Sequence, residues 1–390
     1  MNKNTPKQID EGTEESYEDI PNVSDSRSGL WAKLWAPSTG IQDLPIGSKD
    51  VPNILAIKLS NQMDKNAVFS PLSITFALAL IHLGAEQNTD KELANLFNYK
   101  YNISELASIY NTFNNNIIKM ANCIIINNNF EINKQYTNSI KNFTLIEENN
   151  FKNKSNVVNK VNKYISQNTN GLIKNVLDTN DINDLTILIL INTIYFKASW
   201  LHKFNAKNTE KAKFGNTQKL VDMMYINKKF NYYENDNMQL LEMFYKNKDY
   251  VMGISLPKND DYKFDLDTLM SNIDSLKKEK VEVYLPKFTH RKRVDMIPIL
   301  ESLGVHDLFT KNAKLNISQD SYISSIIHEA VVIVDEEGTE AAAVTTMISQ
   351  NCMMSAPKKT IIFRADHDFV YYIRHIPSNM ILFYGEFCNM

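Results

Sequence analysis

Few residues of this 390-residue chain are of a type and spacing that could do chemistry. No Gly-x-Ser-x-Gly turn presents a serine, no phosphate-cradling glycine loop occurs, and neither a His-Glu-x-x-His pair nor a Gly-x-Gly-x-x-Gly fingerprint is present. The three cysteines, Cys123, Cys352 and Cys388, lie far apart and lack the paired spacing of a metal or redox site. No metal, cofactor or disulfide framework is therefore expected. Cys352 is a candidate thiol nucleophile, but no local signature surrounds it and its partner histidine cannot be named from sequence. An enzyme is the disfavoured reading.

The stretch that leads to Cys352 is unusual in another way. From Glu336 and Glu337 it runs through Gly338, Thr339, Glu340, Ala341, Ala342, Ala343, Val344 and Thr345 to Met354. The alanines favour a helix, whereas Val344, Thr345 and Thr346 are β-branched and favour a pleated setting. Such a conflict is expected where one segment must live in two structures. Thr339, Ala341, Ala343 and Thr345 put small side chains at alternate positions, Glu340 falls on the other face, and Gly338 supplies a permissive joint. The segment reads as one built to enter a sheet.

The elements around it follow from pattern. Residues 1–46 are acidic and polar, the composition of a tail that cannot offset its ordering entropy, except for a tryptophan-bearing segment at 29–37 expected to dock on the body or on a partner. A helix is expected from an acidic cap at Asp50 to near Asp64, and a wholly buried helix from Ile74 to Leu83. Residues 185–196 form an apolar run interrupted by Asn192, too short to span a membrane, and read as a buried central strand. Further strands are expected at 250–256, 281–284 and 326–334. His328, alone in an apolar strand, reads as a satisfied core residue. The lysines and arginines from Lys277 to Arg293 are the most basic local stretch, and interleaved acids favour a solvated surface over an anion site. With 43% hydrophobic residues, 22% charged residues and a net charge of −3, the chain is globular and lacks the basic excess of a nucleic-acid binder. Its first twenty residues carry no apolar core, so no signal peptide is expected and the product reads as intracellular.

Several motifs occur in the order of one family. They are Phe-Ser-Pro-Leu-Ser-Ile at 69–74, Leu-Ile-Asn-Thr-Ile-Tyr-Phe-Lys-Ala-Ser-Trp at 190–200, Leu-Pro-Lys-Phe at 285–288, the Gly-Thr-Glu-Ala-Ala-Ala hinge at 338–343, and the close from Phe363 to Cys388. Over residues 50–390 the chain resembles the serpins, and most of all their intracellular, ovalbumin-like and viral branch. Asp368, Glu386 and Ala198-Ser199 depart from the usual residues. The resemblance implies an α+β fold with a large, mostly antiparallel central sheet, additional sheets and eight or nine helices. It implies a single domain over 47–390, with an exposed reactive-centre loop over about 336–362. It places Ser70, Ser73, Asn192 and His328 in one buried cluster where the central sheet parts, and Trp200 at the top of the opening.

The function implied is that of a suicide substrate. A protease attacks a bait bond, forms an acyl-enzyme, and is carried across the inhibitor as the cleaved loop becomes a new strand, up to ~3.3 Å per residue. A dozen or so new backbone hydrogen bonds would drive this with on the order of 10 kcal/mol before ordering costs. Counting fifteen residues from Gly338 places the bait bond between Cys352 and Met353, like that of the leukocyte elastase inhibitor. A loop one residue shorter would move it to Asn351 and Cys352. Elastase- or chymotrypsin-like serine proteases are the expected partners, a cysteine protease the other, and a monomer the expected state. The alternative implied is a non-inhibitory serpin acting as a binding or chaperone-like protein.

Overall fold

The computed structural model describes residues 47–216, 218–259, 262, 264–339 and 360–388. The tail over 1–46 and the loop positions Glu340 to Thr345, Asn351, Cys352 and Met353 lie outside the described residues. Among those described, eight α-helices accompany two mixed sheets. The helices are α1 (Val51–Ser60), α2 (Pro71–His82), α3 (Gln87–Phe97), α4 (Ile103–Phe113), α5 (Lys134–Ile140), α6 (Lys154–Asn168), α7 (Leu266–Ser271) and α8 (Ile297–Ser302).

The central sheet has seven strands: β2 (Ile118–Asn127), β3 (Leu145–Asn149), β4 (Leu188–Phe196), β5 (Ala198–Ser199), β11 (Phe288–Asp295), β12 (Ile323–Val334) and β13 (Gly338–Thr339). Two pairings in it are parallel, β2 with β3 and β4 with β12, and the rest antiparallel. The second sheet of nine strands runs in order from β1 (Val68–Phe69) through β16 (Met380–Phe387), β15 (Phe369–His375), β9 (Tyr250–Pro257), β8 (Met238–Phe244), β7 (Lys219–Glu234) and β10 (Lys277–Pro286) to β14 (Ile361–Arg364), with β6 (Glu210–Phe214) on β7.

The near-continuous apolar sequence of β4 is explained by cover on both faces. Alternate residues Leu188, Leu190 and Ile194 join the main core, while Ile189 and Ile191 join a second cluster under α6. Helix α6 reaches that cluster with Val157, Val161 and Ile165, four residues apart on one stripe, each contributing roughly 1.5–3 kcal/mol by burial.

Several boundaries differ from expectation, among them the strands at Lys277–Pro286 and Ile323–Val334, which are longer than expected, and three differences have a local cause. The buried helix starts three residues early, because Ser70 is extended, accepts from the Ser73 N–H through its hydroxyl, and leaves Pro71 in the first turn where its missing N–H costs nothing. Asp50 does precede α1, but its carboxylate turns back to the Gly47 N–H and does not cap, and the helix closes at Ser60. The central strand begins at Leu188, not 185, since the Asn183 side chain accepts from the Leu185 N–H and bends the chain, leaving Leu185 79% exposed.

Candidate functional site: the gap in the central sheet

Strands β4 and β12 run side by side in parallel from Leu188 opposite Ile323 to Tyr195 opposite Val331. Beyond that point they part. Into the top of the opening the chain returns as β13, antiparallel to both walls, with Thr339 opposite Val334 on one side and Ala198 on the other, and Gly338 opposite Ser199. Parallel pairing is slightly the weaker per residue. A strand continuing down from Thr339 would exchange one parallel ladder for two antiparallel ones.

Sequence reasoning expects Thr339 to become buried on insertion, and the structure has it buried already. Its hydroxyl shares a hydrogen bond of 2.8 Å with that of Tyr245. The indole of Trp200 lies flat on Tyr245, with ring centroids 4.6 Å apart and 10° between planes, and donates from Nε1 to the carbonyl of Asp335 at 2.9 Å. Burial pushes the Tyr245 phenol far up, so it stays neutral. At Gly338 the approach is closest. A Cβ there would lie 2.1 Å from the carbonyl oxygen of Ala198 and 2.6 Å from the Cα of Ser199, both fixed backbone, at a φ of +156°.

The approach to β13 is held by backbone and charge together. The N–H groups of Trp200 and Phe204 donate to the carbonyls of Glu337 and Glu336. The Asp335 carboxylate accepts from the N–H groups of Glu337 and Gly338, and Lys203 pairs with Glu337 and Lys287 with Glu336. Burial opposes ionisation of Glu336, but the hydrogen bonds from Lys287 and Thr209 prevail and hold its carboxyl below the usual range. Asp335 is shifted up, chiefly by burial.

Below the gap, four of the five predicted cluster residues meet. His328 and Asn192 are register partners on β12 and β4, linked from Nδ1 to Oδ1 at 2.7 Å. Because His328 Nε2 accepts from the Ser70 N–H at 3.1 Å, the ring proton must sit on Nδ1 and be donated to Asn192. Full burial pushes the His328 pKa down to about 3, so the ring is neutral. Asn192 donates through Nδ2 to the Ser73 hydroxyl and to Asn122 Oδ1, each at 2.7 Å. Asn122 lies opposite Asn192 on β2, so a polar row crosses three neighbouring strands at one level. Trp200, the fifth residue, belongs to the hinge contacts above.

Sequence reasoning missed Asn122, Tyr245, Asp335, Lys203 and Lys287. Asn122 had a signal, a lone amide in the run Met-Ala-Asn-Cys-Ile, as Asn192 is in its own. Tyr245 had none, since its role depends on the antiparallel bridge that joins it to Trp200. Cys123 and Cys388 are free and buried, and burial raises both thiols, Cys388 to about 12. Among the described residues no group of side chains could hold a metal ion.

The site is thus a sheet parted between two parallel strands, with a glycine-started strand at its mouth and a polar row beneath. The family model for Serpin (serine protease inhibitor) matches residues 53–390. An uncharacterized serpin-like protein of Acanthamoeba polyphaga mimivirus is 45% identical over 336 residues, 82% of this chain and 84% of that one. The leukocyte elastase inhibitor of Xenopus tropicalis is 32% identical, covering 84% and 94%. Among solved structures, the highly specific Serpin48 of the insect Tenebrio molitor superposes with a TM-score of 0.76 at 27% identity, covering 88% of this chain and 99% of that one. The chain belongs to the serpin family.

Proposed function

We propose that this serpin is an inhibitor that traps a serine protease as an acyl-enzyme by inserting its cleaved loop into the central sheet. The observation that carries the reading is the placement of Gly338 and Thr339 between β5 and β12, which starts the inserted strand before any bond is cut. Cleavage at Cys352 would leave its carbonyl esterified to the protease serine and release Met353 as a new amino terminus. Small side chains at Ala341, Ala343 and Thr345 then allow the strand to continue from Thr339 toward the row at Asn192 and His328. The similarity to the leukocyte elastase inhibitor and the Cys-Met pair support an elastase- or chymotrypsin-like target and an intracellular site of action. No described helix is long and apolar enough to cross a membrane.

The test is to mix the protein with elastase, chymotrypsin and a cysteine protease and to run the products in SDS. A stable complex is expected with at least one serine protease, and the amino terminus of the released fragment locates the bond. Cleavage of the loop by all three with no complex at any ratio would refute inhibition.

A further inference from the structure

The basic stretch from Lys277 to Arg293 is divided by the fold between the two sheets. In its second half three of the four cations are engaged within the molecule, Lys287 with Glu336, Arg291 with Glu329 and Arg293 with Asp181. Its first half lies on β10 against β7, with Lys280 directly opposite Lys229 and Lys278 opposite Asn231. Like charges directly opposed across a sheet repel and destabilise it. Lys228, Lys229 and Lys280 are exposed, and among the described residues none of the three joins a carboxylate in an ion pair.

Their position in the chain gives this cost a purpose. The strand that leaves the reactive loop, β14, pairs in parallel with β10 from Ile361 opposite Val281, which is the residue after Lys280. The returning loop therefore meets the sheet at Lys280. On the side where the loop departs, Lys203 pairs with Glu337, two residues before Thr339. His202, beside Lys203, is held below its usual pKa first by burial and then by the charge of Lys228. The Lys229–Lys280 pair thus lies beside the point where the loop returns, on the face of the sheet opposite the one that carries Lys228.

We propose that Lys229 and Lys280 form a docking surface for an acidic face of the protease that has engaged the loop. The proposal rests on the inhibitor reading. A protease seated on a bond between the two ends of the loop lies over this strip, and opposed positive charges there raise the rate of encounter with a negative partner and relieve their own repulsion on contact. The specificity so conferred concerns the protease surface outside its active-site cleft.

The test uses pancreatic chymotrypsin, unmodified and with its surface lysines succinylated, each first shown active on a small substrate. Second-order trapping rates are measured at roughly 50 and 300 mM salt, on either side of effective screening. The parent is compared with the double variants Lys229→Glu/Lys280→Glu and Lys229→Ser/Lys280→Ser. The charge reversal is expected to slow trapping of the succinylated enzyme about tenfold at low salt, the serine variant less, with the gap closing at high salt. The number of inhibitor molecules consumed per protease should not change. Equal rates for parent and variants with both enzyme forms, while complexes still form, would overturn docking. Binding of heparin to the parent but not the variants, with equal trapping rates, would reassign the strip to a polyanion and overturn it as well. If the parent traps neither enzyme form nor any of the panel above, the inhibitor reading itself falls, and docking with it.

Discussion

Thr339→Arg tests the mechanism at its first committed residue. Thr339 is fully buried between two strands, and its side-chain partner is the Tyr245 hydroxyl, which could accept from one of five guanidinium N–H donors. Holding an unpaired guanidinium there costs several kcal/mol. In the uncleaved protein the arginine escapes by leaving the gap, which sacrifices only the two-residue strand β13. After cleavage it has no escape, because every later residue must follow it in. An added barrier of ~3 kcal/mol slows insertion by more than ~100-fold, and hydrolysis of the acyl-enzyme then wins. Titrating chymotrypsin or elastase with the variant should show cleaved inhibitor, restored protease activity and a stoichiometry at least ~10-fold above the parent's. Thr339→Val is the control, since it keeps burial, loses the hydroxyl at about 1 kcal/mol, and should still trap. If Thr339→Arg trapped protease with the parent's stoichiometry, insertion through this gap would not be the mechanism.

Gly338→Ala forces a methyl into the Ala198 carbonyl and should expel β13, seen as a change in the fluorescence of Trp200, whose indole is tied to Asp335; an unchanged spectrum would contradict the observed packing. Asn192→Ala removes two donated bonds and one accepted bond and strands the ring proton of His328, so a loss of about 3–5 kcal/mol in urea unfolding is expected, and a loss below about 1 would refute the role of the row. Acid should also weaken the fold. The pKa of His328 is lowered to about 3 and that of His290 to about 4, so both stay neutral in the fold while the unfolded chain gains protons below pH 6.5. Stability is complete above that value and falls as pH drops from 6.5 toward 4 and 3, by roughly 2 kcal/mol per histidine at pH 5 relative to pH 7.5. Equal urea midpoints at the two pH values would count against this.

Much of the fold was legible because unbroken apolar runs of a given length declare buried elements, as β4 and α2 do. That Asn192 and His328, polar residues inside apolar strands, must each find a partner was legible from the residues, whereas their grouping with Ser70 and Ser73 came from the resemblance to serpins. What could not be read was the filling of the gap's mouth. That Gly338 and Thr339 already occupy it depends on where β4 and β12 diverge, a tertiary outcome with no local code. The ion pairs of Lys203 and Lys287 were hidden for the same reason, since each joins residues far apart in sequence. The boundary error at Ile74 came from a cap, where the bond to the Ser70 hydroxyl decides three residues.

The polar row also bears on time. A strand advancing between β4 and β12 must break the link from His328 to Asn192 while leaving that from Asn192 to Asn122 intact, because only the first spans the seam that opens. The same link stands in the way of an uncut loop that drifts inward unprompted. Under the proposed mechanism, the time for which the protein could still trap a protease would be set by an activation barrier and not by the depth of its energy well. Ageing in storage, and not melting, is the form in which weakening of this seam would first be noticed.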